Sequence, residues 1–217
     1  VITLYLEGPQ KPAEFVKVLE KAAKKKKPVV ILKTGRSEKG SQIASSHTGS
    51  LSGADQVFDA MFKKYGVIRV NDMEELLSTS QMFATLDKLP KGPNVAVMCL
   101  SGGETAISAD VGDLEGVNYP AFAPETLEKI KQLLPSYSTP NNPLDTTATL
   151  AHDREGYANL VKTVMSDPSV DTVVCGFTVH KETKSGVTLD IAEALVKAKK
   201  DPDAKPIVMM PFMESSR

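Results

Sequence analysis

The sequence predicts two α/β domains, each with a parallel sheet flanked by helices. Short apolar runs rich in Val and Ile alternate with longer segments of helical periodicity, which is the pattern of parallel strands buried on both faces. The chain has 217 residues, of which 41% are hydrophobic, enough for two cores at about 100–200 residues a domain. A Pro/Gly cluster at positions 89–93 separates a helix from a new strand and marks the division.

The elements follow in order along the chain. The predicted strands are Ile2–Leu6, Val29–Lys33, Val67–Val70, Val95–Leu100, Tyr119–Phe122, Thr172–Phe177 and Ile207–Met210. The predicted helices are Ala13–Lys26, Ala54–Tyr65, Met73–Leu86, Thr105–Leu114, Pro124–Leu134, Arg154–Met165 and Thr188–Lys199. Within the second helix we expect Val57, Phe58 and Met61 to form the buried face, because their spacing repeats over one helical turn.

The first domain is assigned to residues 1–90 and the second to residues 91–217. A strand begins at once after Val1, and the last strand runs to within a few residues of Arg217. A doubly wound sheet ordinarily continues with further helices and strands. We therefore expect the first domain to be truncated at its N-terminus and the second at its C-terminus.

Composition excludes several functions. The 26 basic and 27 acidic residues give a net charge of -1, so no electrostatic footprint for nucleic acid or an anionic membrane is expected. No apolar run approaches the roughly 20 residues that span a bilayer, and no signal peptide is visible. A soluble protein is therefore expected. Cys99 and Cys175 lie in apolar strand-like runs, which predicts buried thiols without a disulfide and fits the reducing cytoplasm. His152 and His180 have no ligand partners at metal spacing, so no metal site is expected.

His47 lies in a run of small, hydroxylated and glycine residues, Ser45–Gly53. Composition alone favours a flexible surface loop that happens to contain a histidine. The position favours a reactive histidine, because residues 35–53 are predicted to form a long loop between the carboxyl end of a strand and the next helix. Open α/β sheets bind ligands at that edge.

Four sequence elements together resemble a known family. They are Lys33–Ser37 with Ser46–Gly53, Leu4–Gly8, Leu100–Gly103 with Ala106–Asp110, and Asn142–Asp145. Taken in their order along the chain, which starts with Leu4–Gly8, they resemble the NDP-forming acyl-CoA synthetases, relatives of succinyl-CoA synthetase, which place a phosphohistidine domain and a second domain on flavodoxin-like folds. The resemblance spans positions 4 to 145 and implies that His47 carries a phosphoryl group between two distant sites.

The resemblance also assigns roles to other residues. It implies that Glu7, at a strand end, holds the histidine ring, since a phosphorylated imidazole needs an acceptor on its other nitrogen. An exposed acid at a strand terminus is the alternative for Glu7. Lys33 and Arg36 flank the histidine segment; either they attract phosphate or, as we expect, they are solvated charges.

The glycine pair after the fourth strand fits a phosphate. Backbone amides at a helix start bind anions when no side chain intervenes, although a strand-Gly-Gly-helix junction is also common as a tight turn. Glu104 is expected to point away from the phosphate. The implied phosphate-binding residues are Ser101, Gly102, Gly103, Thr105, Ser46, Thr48 and Gly49, and the implied supporting residues are Asn142 and Asp145. An Asn-Pro-x-Asp turn is often structural.

The resemblance implies an intact enzyme that interconverts acyl-CoA, ADP and phosphate with acid, CoA and ATP. ATP or ADP with Mg, CoA and phosphate are its substrates, and no covalently bound cofactor is implied. A CoA-binding domain and an ATP-grasp domain are expected in the same chain or a partner subunit, in a homo- or hetero-oligomer. Two alternatives remain: a noncatalytic acyl-CoA-sensing module of a protein acetyltransferase, and a plain flavodoxin-like scaffold domain.

Overall fold

The structure is a computed structural model that describes residues 1–48, 55–177 and 186–212. It divides the chain into two compact units, Val1–Leu86 and Asp87–Arg217. Over the described ranges each unit holds one parallel sheet, with three strands in the first and four in the second. Helices connect the strands, so the predicted fold class is confirmed.

The first unit has the strand order β1-β2-β3. Its elements are β1 (Ile2–Leu6), α1 (Pro12–Lys24), β2 (Val29–Lys33), α2 (Glu38–Thr48), α3 (Asp55–Tyr65), β3 (Ile68–Val70) and α4 (Met73–Thr85). Because all three strands are parallel, their carboxyl ends meet at one edge of the sheet.

Strand β2 is the centre of this unit, and all five of its residues are buried. Ile31 packs with Phe58 of α3 on one face of the sheet. Val30 packs with Leu76 of α4 on the other face. Successive side chains of a strand point to opposite faces, so a central strand covered on both sides has to be apolar throughout.

The second unit has the strand order β5-β4-β6-β7. Its elements are β4 (Val95–Cys99), α5 (Gly102–Leu114), α6 (Pro124–Leu133), β5 (Leu144–Asp145), α7 (Arg154–Ser166), β6 (Thr172–Gly176), α8 (Val187–Lys199) and β7 (Ile207–Met210). Helix α7 supplies much of the core, with six buried residues, and it packs mainly against α8, α6 and β6.

The predicted loop over residues 35–53 is wrong for its larger part, because α2 occupies Glu38–Thr48. Its first turn is capped where the Ser37 hydroxyl accepts a hydrogen bond from the Gly40 amide at 3.1 Å. Ala44, which is 6% exposed, packs against the Gly35 turn. Small residues therefore allow a close helix contact here, and their abundance was misinterpreted as a loop signal.

Two predictions in the second unit also differ from the structure. Residues Tyr119–Phe122 form no strand; a single bridge joins Asn94 and Asn118, and Pro120 has no amide to extend the pairing. The short strand β5 was missed, because its two residues follow a proline and resemble a turn. Leu144 is fully buried beside β4, which explains why the segment joins the sheet.

The buried face of α3 also differs from the prediction. Phe58 and Phe62 are buried, with ring centroids 5.8 Å apart, whereas Val57 is 65% exposed. Two aromatic rings four residues apart bury more apolar area than the Val57 side chain does. The helix therefore turns this aromatic pair toward β2.

Gly112 of α5 has no room for a side chain. A Cβ there would lie 2.0 Å from the Tyr119 hydroxyl and 2.5 Å from its ring, and that hydroxyl donates to the Ser108 carbonyl at 2.9 Å. A helical Gly→Ala change ordinarily stabilises by about 1 kcal/mol, but overpacking costs about 1–3 kcal/mol.

We therefore expect Gly112→Ala to lower the melting temperature of the chain, measured by circular dichroism. Gly103→Ala in the same helix is the control, because nothing lies within 4 Å of its added Cβ. A melting temperature that rises in Gly112→Ala would contradict this packing.

Candidate functional site

The carboxyl edge of the first sheet brings together the predicted strand-end acid and the histidine segment's first residues. Glu7 directly follows β1, and Lys33 ends β2. The Thr34 amide donates to the Leu6 carbonyl at 3.0 Å, which extends the pairing one residue beyond the end of β2. Glu7 therefore lies beside the start of the segment that leads to α2.

Lys33 was predicted to be a solvated charge, and this prediction is wrong. Only 1% of Lys33 is exposed. Its ammonium donates to the Thr34 carbonyl and lies 4.7 Å from the centroid of the Phe58 ring. Burial lowers the pKa of Lys33, while the charges of Asp55 and Glu7 oppose that shift. The edge thus holds a buried lysine whose charge is acted on by Glu7, which follows β1, and by Asp55 of α3.

His47 lies on the last turn of α2, at its carboxyl end. The structure describes the backbone of His47 and Thr48 but not their side chains, and Gly49 lies outside the described residues. The Ser46 hydroxyl is exposed and donates to the Ile43 carbonyl at 2.7 Å. Its proton is therefore directed into the helix and not to an outside acceptor.

The patterns of the sequence do not predict the ion-pair network at this edge. Arg69 of β3 binds Asp55 at 2.5 Å and also binds Asp59. Burial lowers the pKa of Arg69, but hydrogen bonds to both acids outweigh it and raise the pKa overall. Asp55 also lies 3.8 Å from Arg36. The signal was Arg69 itself, because a charged residue within a short apolar strand requires a partner.

The amino end of α5 forms the second candidate site. Ser101 is the N-cap, and its hydroxyl accepts a hydrogen bond from the Glu104 amide at 3.3 Å. The Thr105 hydroxyl donates to the Ser101 carbonyl at 2.8 Å. Both side chains are thus used to build the helix start. The amides of Gly102 and Gly103 lie before the first amide of α5 that donates to a helical carbonyl. They therefore remain available to donate hydrogen bonds to an external anion.

Two acids lie close to this helix start. Asp145 Oδ2 lies 3.2 Å from the position of a Cβ on Gly102, while Asp145 Oδ1 accepts from the Thr147 amide at 2.7 Å. Glu104 Oε2 is buried and has no hydrogen-bond partner among the described residues. This buried oxygen shows that the Glu104 carboxylate faces the protein and not the solvent. Burial raises the pKa of Cys99, and the Glu104 charge adds to that rise.

Asn142 connects strand β4 to neighbouring segments beside this site. Its side chain accepts from the Val97 amide at 3.1 Å and donates to the carbonyls of Val95 at 2.8 Å and Pro120 at 3.0 Å. One amide group therefore ties β4 to the segments on either side of α6. This arrangement fixes the start of β5 and, with it, the position of Asp145.

The described part of the chain also bears on thiol chemistry, metal binding and membrane insertion. Cys99 and Cys175 are free and buried, as predicted. Burial raises the pKa of Cys175 to about 12, and the nearby Cys99 thiol adds to that rise. Neither thiol is therefore poised as a nucleophile. Across the described ranges, no three His, Cys, Asp or Glu side chains come together as a metal site, and no helix is long and apolar enough to cross a membrane.

The chain matches known proteins over both units. Residues 1–83 match the succinyl-CoA ligase like flavodoxin domain. The alpha subunit of acetate–CoA ligase [ADP-forming] II from Pyrococcus furiosus is 36% identical over 96% of this chain and 45% of its own length. A 4-hydroxybutyrate–CoA ligase [ADP-forming] from Nitrosopumilus maritimus is 35% identical over 80% of this chain and 24% of its own length.

A solved structure agrees in fold. The dinucleotide-forming acetyl-coenzyme A synthetase 1 of Ca. Korarchaeum cryptofilum, in complex with phosphate and ADP, superposes with a TM-score of 0.76 at 27% identity, covering 94% of this chain and 43% of that one. The chain thus spans less than half the length of these relatives. Residues 1–83 thus belong to the succinyl-CoA ligase like flavodoxin domain family, and over nearly its whole length the chain is related to ADP-forming acetate–CoA ligases.

Proposed function

We propose that this chain is the part of an ADP-forming acyl-CoA synthetase that forms and carries a phosphohistidine at His47. The observation that supports this most is the 36% identity to an ADP-forming ligase subunit over 96% of the chain. Both units share in that relationship, the histidine segment in the first and the glycine helix start in the second. The complete synthetase interconverts acyl-CoA, ADP and phosphate with acid, CoA and ATP.

The proposed transfer begins with neutral His47. One ring nitrogen attacks the phosphorus of an acyl phosphate, the N–P bond forms, the P–O bond to the acyl group breaks, and the acid leaves as its carboxylate. The other ring nitrogen keeps its proton and donates a hydrogen bond to Glu7, which stabilises the charged ring. An oxygen of ADP then attacks the phosphorus, and breakage of the N–P bond regenerates neutral His47.

The start of α5 is the proposed phosphate site. The amides of Gly102 and Gly103 and the positive end of the helix act on the anion, whose charge is about -2 near neutral pH. Asp145 weakens this attraction, because its carboxylate approaches Gly102. The hydroxyls of Ser101 and Thr105 form the helix cap. The backbone of Thr48 and Gly49 is assigned to binding the phosphoryl group at His47.

The remaining parts of the synthetase are a CoA-binding domain and an ATP-grasp domain, in the same chain or a partner subunit. Relatives include alpha subunits and longer chains, which supports such a division. ATP or ADP with Mg and CoA bind mainly to those domains. We place the boundary of the two functional domains here between residues 90 and 91, and the protein in the cytoplasm, where its free cysteines remain reduced.

The test uses the complete synthetase, meaning this chain together with its CoA-binding and ATP-grasp domains. Incubation with γ-labelled ATP and Mg is expected to give protein-bound label that is acid-labile and base-stable. Adding the acid substrate and CoA is expected to discharge that label within one turnover. Acid lability together with base stability identifies an N–P bond, since phosphoserine and phosphothreonine survive acid and acyl phosphates are cleaved by base.

A folded complete synthetase that takes up no label contradicts the proposed function. A protein that binds acyl-CoA but is never labelled is instead a sensing module, and one that binds neither acyl-CoA nor phosphate is a scaffold. The names of the relatives are those of ligases, which favours the catalytic outcome.

A further inference from the structure

Asp55 joins two arginines that come from different parts of the first unit. Its Oδ1 lies 2.5 Å from Arg69 Nη2, and its Oδ2 lies 3.8 Å from Arg36 Nε. The Asp55 side chain is 23% exposed and that of Arg69 is 12% exposed. We call these three residues the Asp55 junction.

The Asp55 junction closes the span that carries His47. Arg36 lies two residues before α2, and Asp55 is the first residue of α3, so residues 37–54 with His47 lie between the two contacts. Ordering such a span costs chain entropy, which a contact between its ends reduces. Arg36 is also held by Asn71, whose Oδ1 accepts from its guanidinium at 2.6 Å.

Neighbouring charges make Asp55 different from Asp59. Both acids bind Arg69, but Asp55 alone of the two also pairs with Arg36 in the described part of the chain. Asp55 also acts on the ammonium of Lys33, which ends β2 at the same edge. Loss of Asp59 therefore leaves the contact between the two ends of the His47 span in place, whereas loss of Asp55 removes that contact.

We propose that Asp55 is a positioning residue for phosphoryl transfer, which holds the two ends of the His47 span at the carboxyl edge of the sheet. It touches neither substrate nor phosphate in this role; it acts through the backbone of α2 and α3. The inference rests on the proposed function of His47. Its expected signature is a slower transfer with an unchanged final amount of phosphohistidine.

The test compares Asp55→Asn with the matched control Asp59→Asn in the complete synthetase. Rapid-quench labelling at saturating ATP is expected to be about 10- to 100-fold slower in Asp55→Asn, since small misplacements of a reacting group have effects of that size. The final label is expected to match wild type. Asp59→Asn is expected to label at the wild-type rate, and Asp55→Glu to recover most of the rate.

Arg36→Gln provides a second route if Asp55→Asn folds poorly. The Arg36 side chain is 47% exposed, so its replacement leaves the more buried Arg69–Asp55 pair intact. It is expected to slow labelling in the same direction. Hydrogen exchange of the α2 amides, residues 38–48, is expected to accelerate in both variants and not in Asp59→Asn.

Three results would overturn the inference. Wild-type labelling rates in Asp55→Asn and Arg36→Gln, alongside an unlabelled His47→Asn protein, would remove the positioning role and leave the proposed function standing. Equal slowing and equal loss of melting temperature in Asp55→Asn and Asp59→Asn would reduce Asp55 to a purely structural residue. An unlabelled wild-type synthetase would remove both proposals.

Discussion

His47→Asn in the complete synthetase is expected to abolish acid-labile labelling from γ-labelled ATP and to stop net turnover. Asparagine preserves a polar side chain of similar reach but has no nucleophilic ring nitrogen, so no N–P bond can form. The loss is expected to be total within detection, because a covalent carrier cannot be replaced by residual binding of its substrates. Label counted after base treatment and gel separation is the measurement.

His152→Asn is the matched control for that experiment. The His152 side chain is 73% exposed and lies 3.3 Å from Asp190 in the second unit. In the sequence it is distant from both His47 and the start of α5. It removes a histidine of the same chain without touching the proposed machinery, and its label is expected to equal that of wild type. Persistent acid-labile label in His47→Asn would assign the carrier to a different residue.

Asp167→Ala is expected to destabilise the second unit by about 3 kcal/mol, because it removes a buried carboxylate and orphans its donors. Asp167 is fully buried. Its oxygens accept from the amides of Ala123 at 2.8 Å and Ser169 at 2.9 Å, and from the Ser169 hydroxyl at 2.6 Å. These bonds tie the start of α6 to the turn before β6. Hydrogen exchange of the β6 amides measures the opening free energy of this unit.

The effect of Asp167→Ala is expected to depend on pH in one direction. Burial by itself raises the pKa of Asp167, but hydrogen bonds from Ser169, Thr126 and Ala123 outweigh it and lower the pKa below its usual value. A lowered folded pKa means that the stabilisation is complete above the unfolded pKa of about 4 and is lost as pH falls through the folded value. The difference between wild type and variant therefore shrinks below about pH 4.

Asp201→Ala is the control for burial. Asp201 accepts from the Asp203 amide at 3.0 Å in a similar turn, but at the exposed surface. Its loss is expected to cost about 1 kcal/mol or less. Equal effects at Asp167 and Asp201 would mean that the Asp167 contacts contribute no more than a surface turn.

Local patterns in the sequence determined the architecture. Strands β1, β2 and β7 have the predicted bounds, because short apolar runs that contain β-branched residues and are bounded by Gly, Pro or charge have few alternatives. The helices differ by a few residues at their ends, as at α5, where Ser101 caps a helix that begins three residues before the predicted Thr105. Cap geometry depends on one hydroxyl contact, which periodicity does not reveal.

The tertiary structure alone decided what the polar residues of the edge do. The Ser/Gly-rich segment predicts a loop by composition, yet Ala44 packs against Gly35 and α2 forms. Lys33 resembles a solvated charge, yet β2 is central and its end is covered by Phe58 of α3. Burial and pairing depend on residues far apart in the chain.

The sequence by itself indicated the relationship to these ligases and the α/β class, and it supplied the candidate histidine, strand-end acid and glycine pair, because each candidate lies within one short segment. The Asp55 junction could not be found that way. Its three residues lie at positions 36, 55 and 69 and meet only after β2, α3 and β3 have packed together. Long-range charge pairing is set by the packed chain, since it needs both the burial that strengthens it and the contacts that align it.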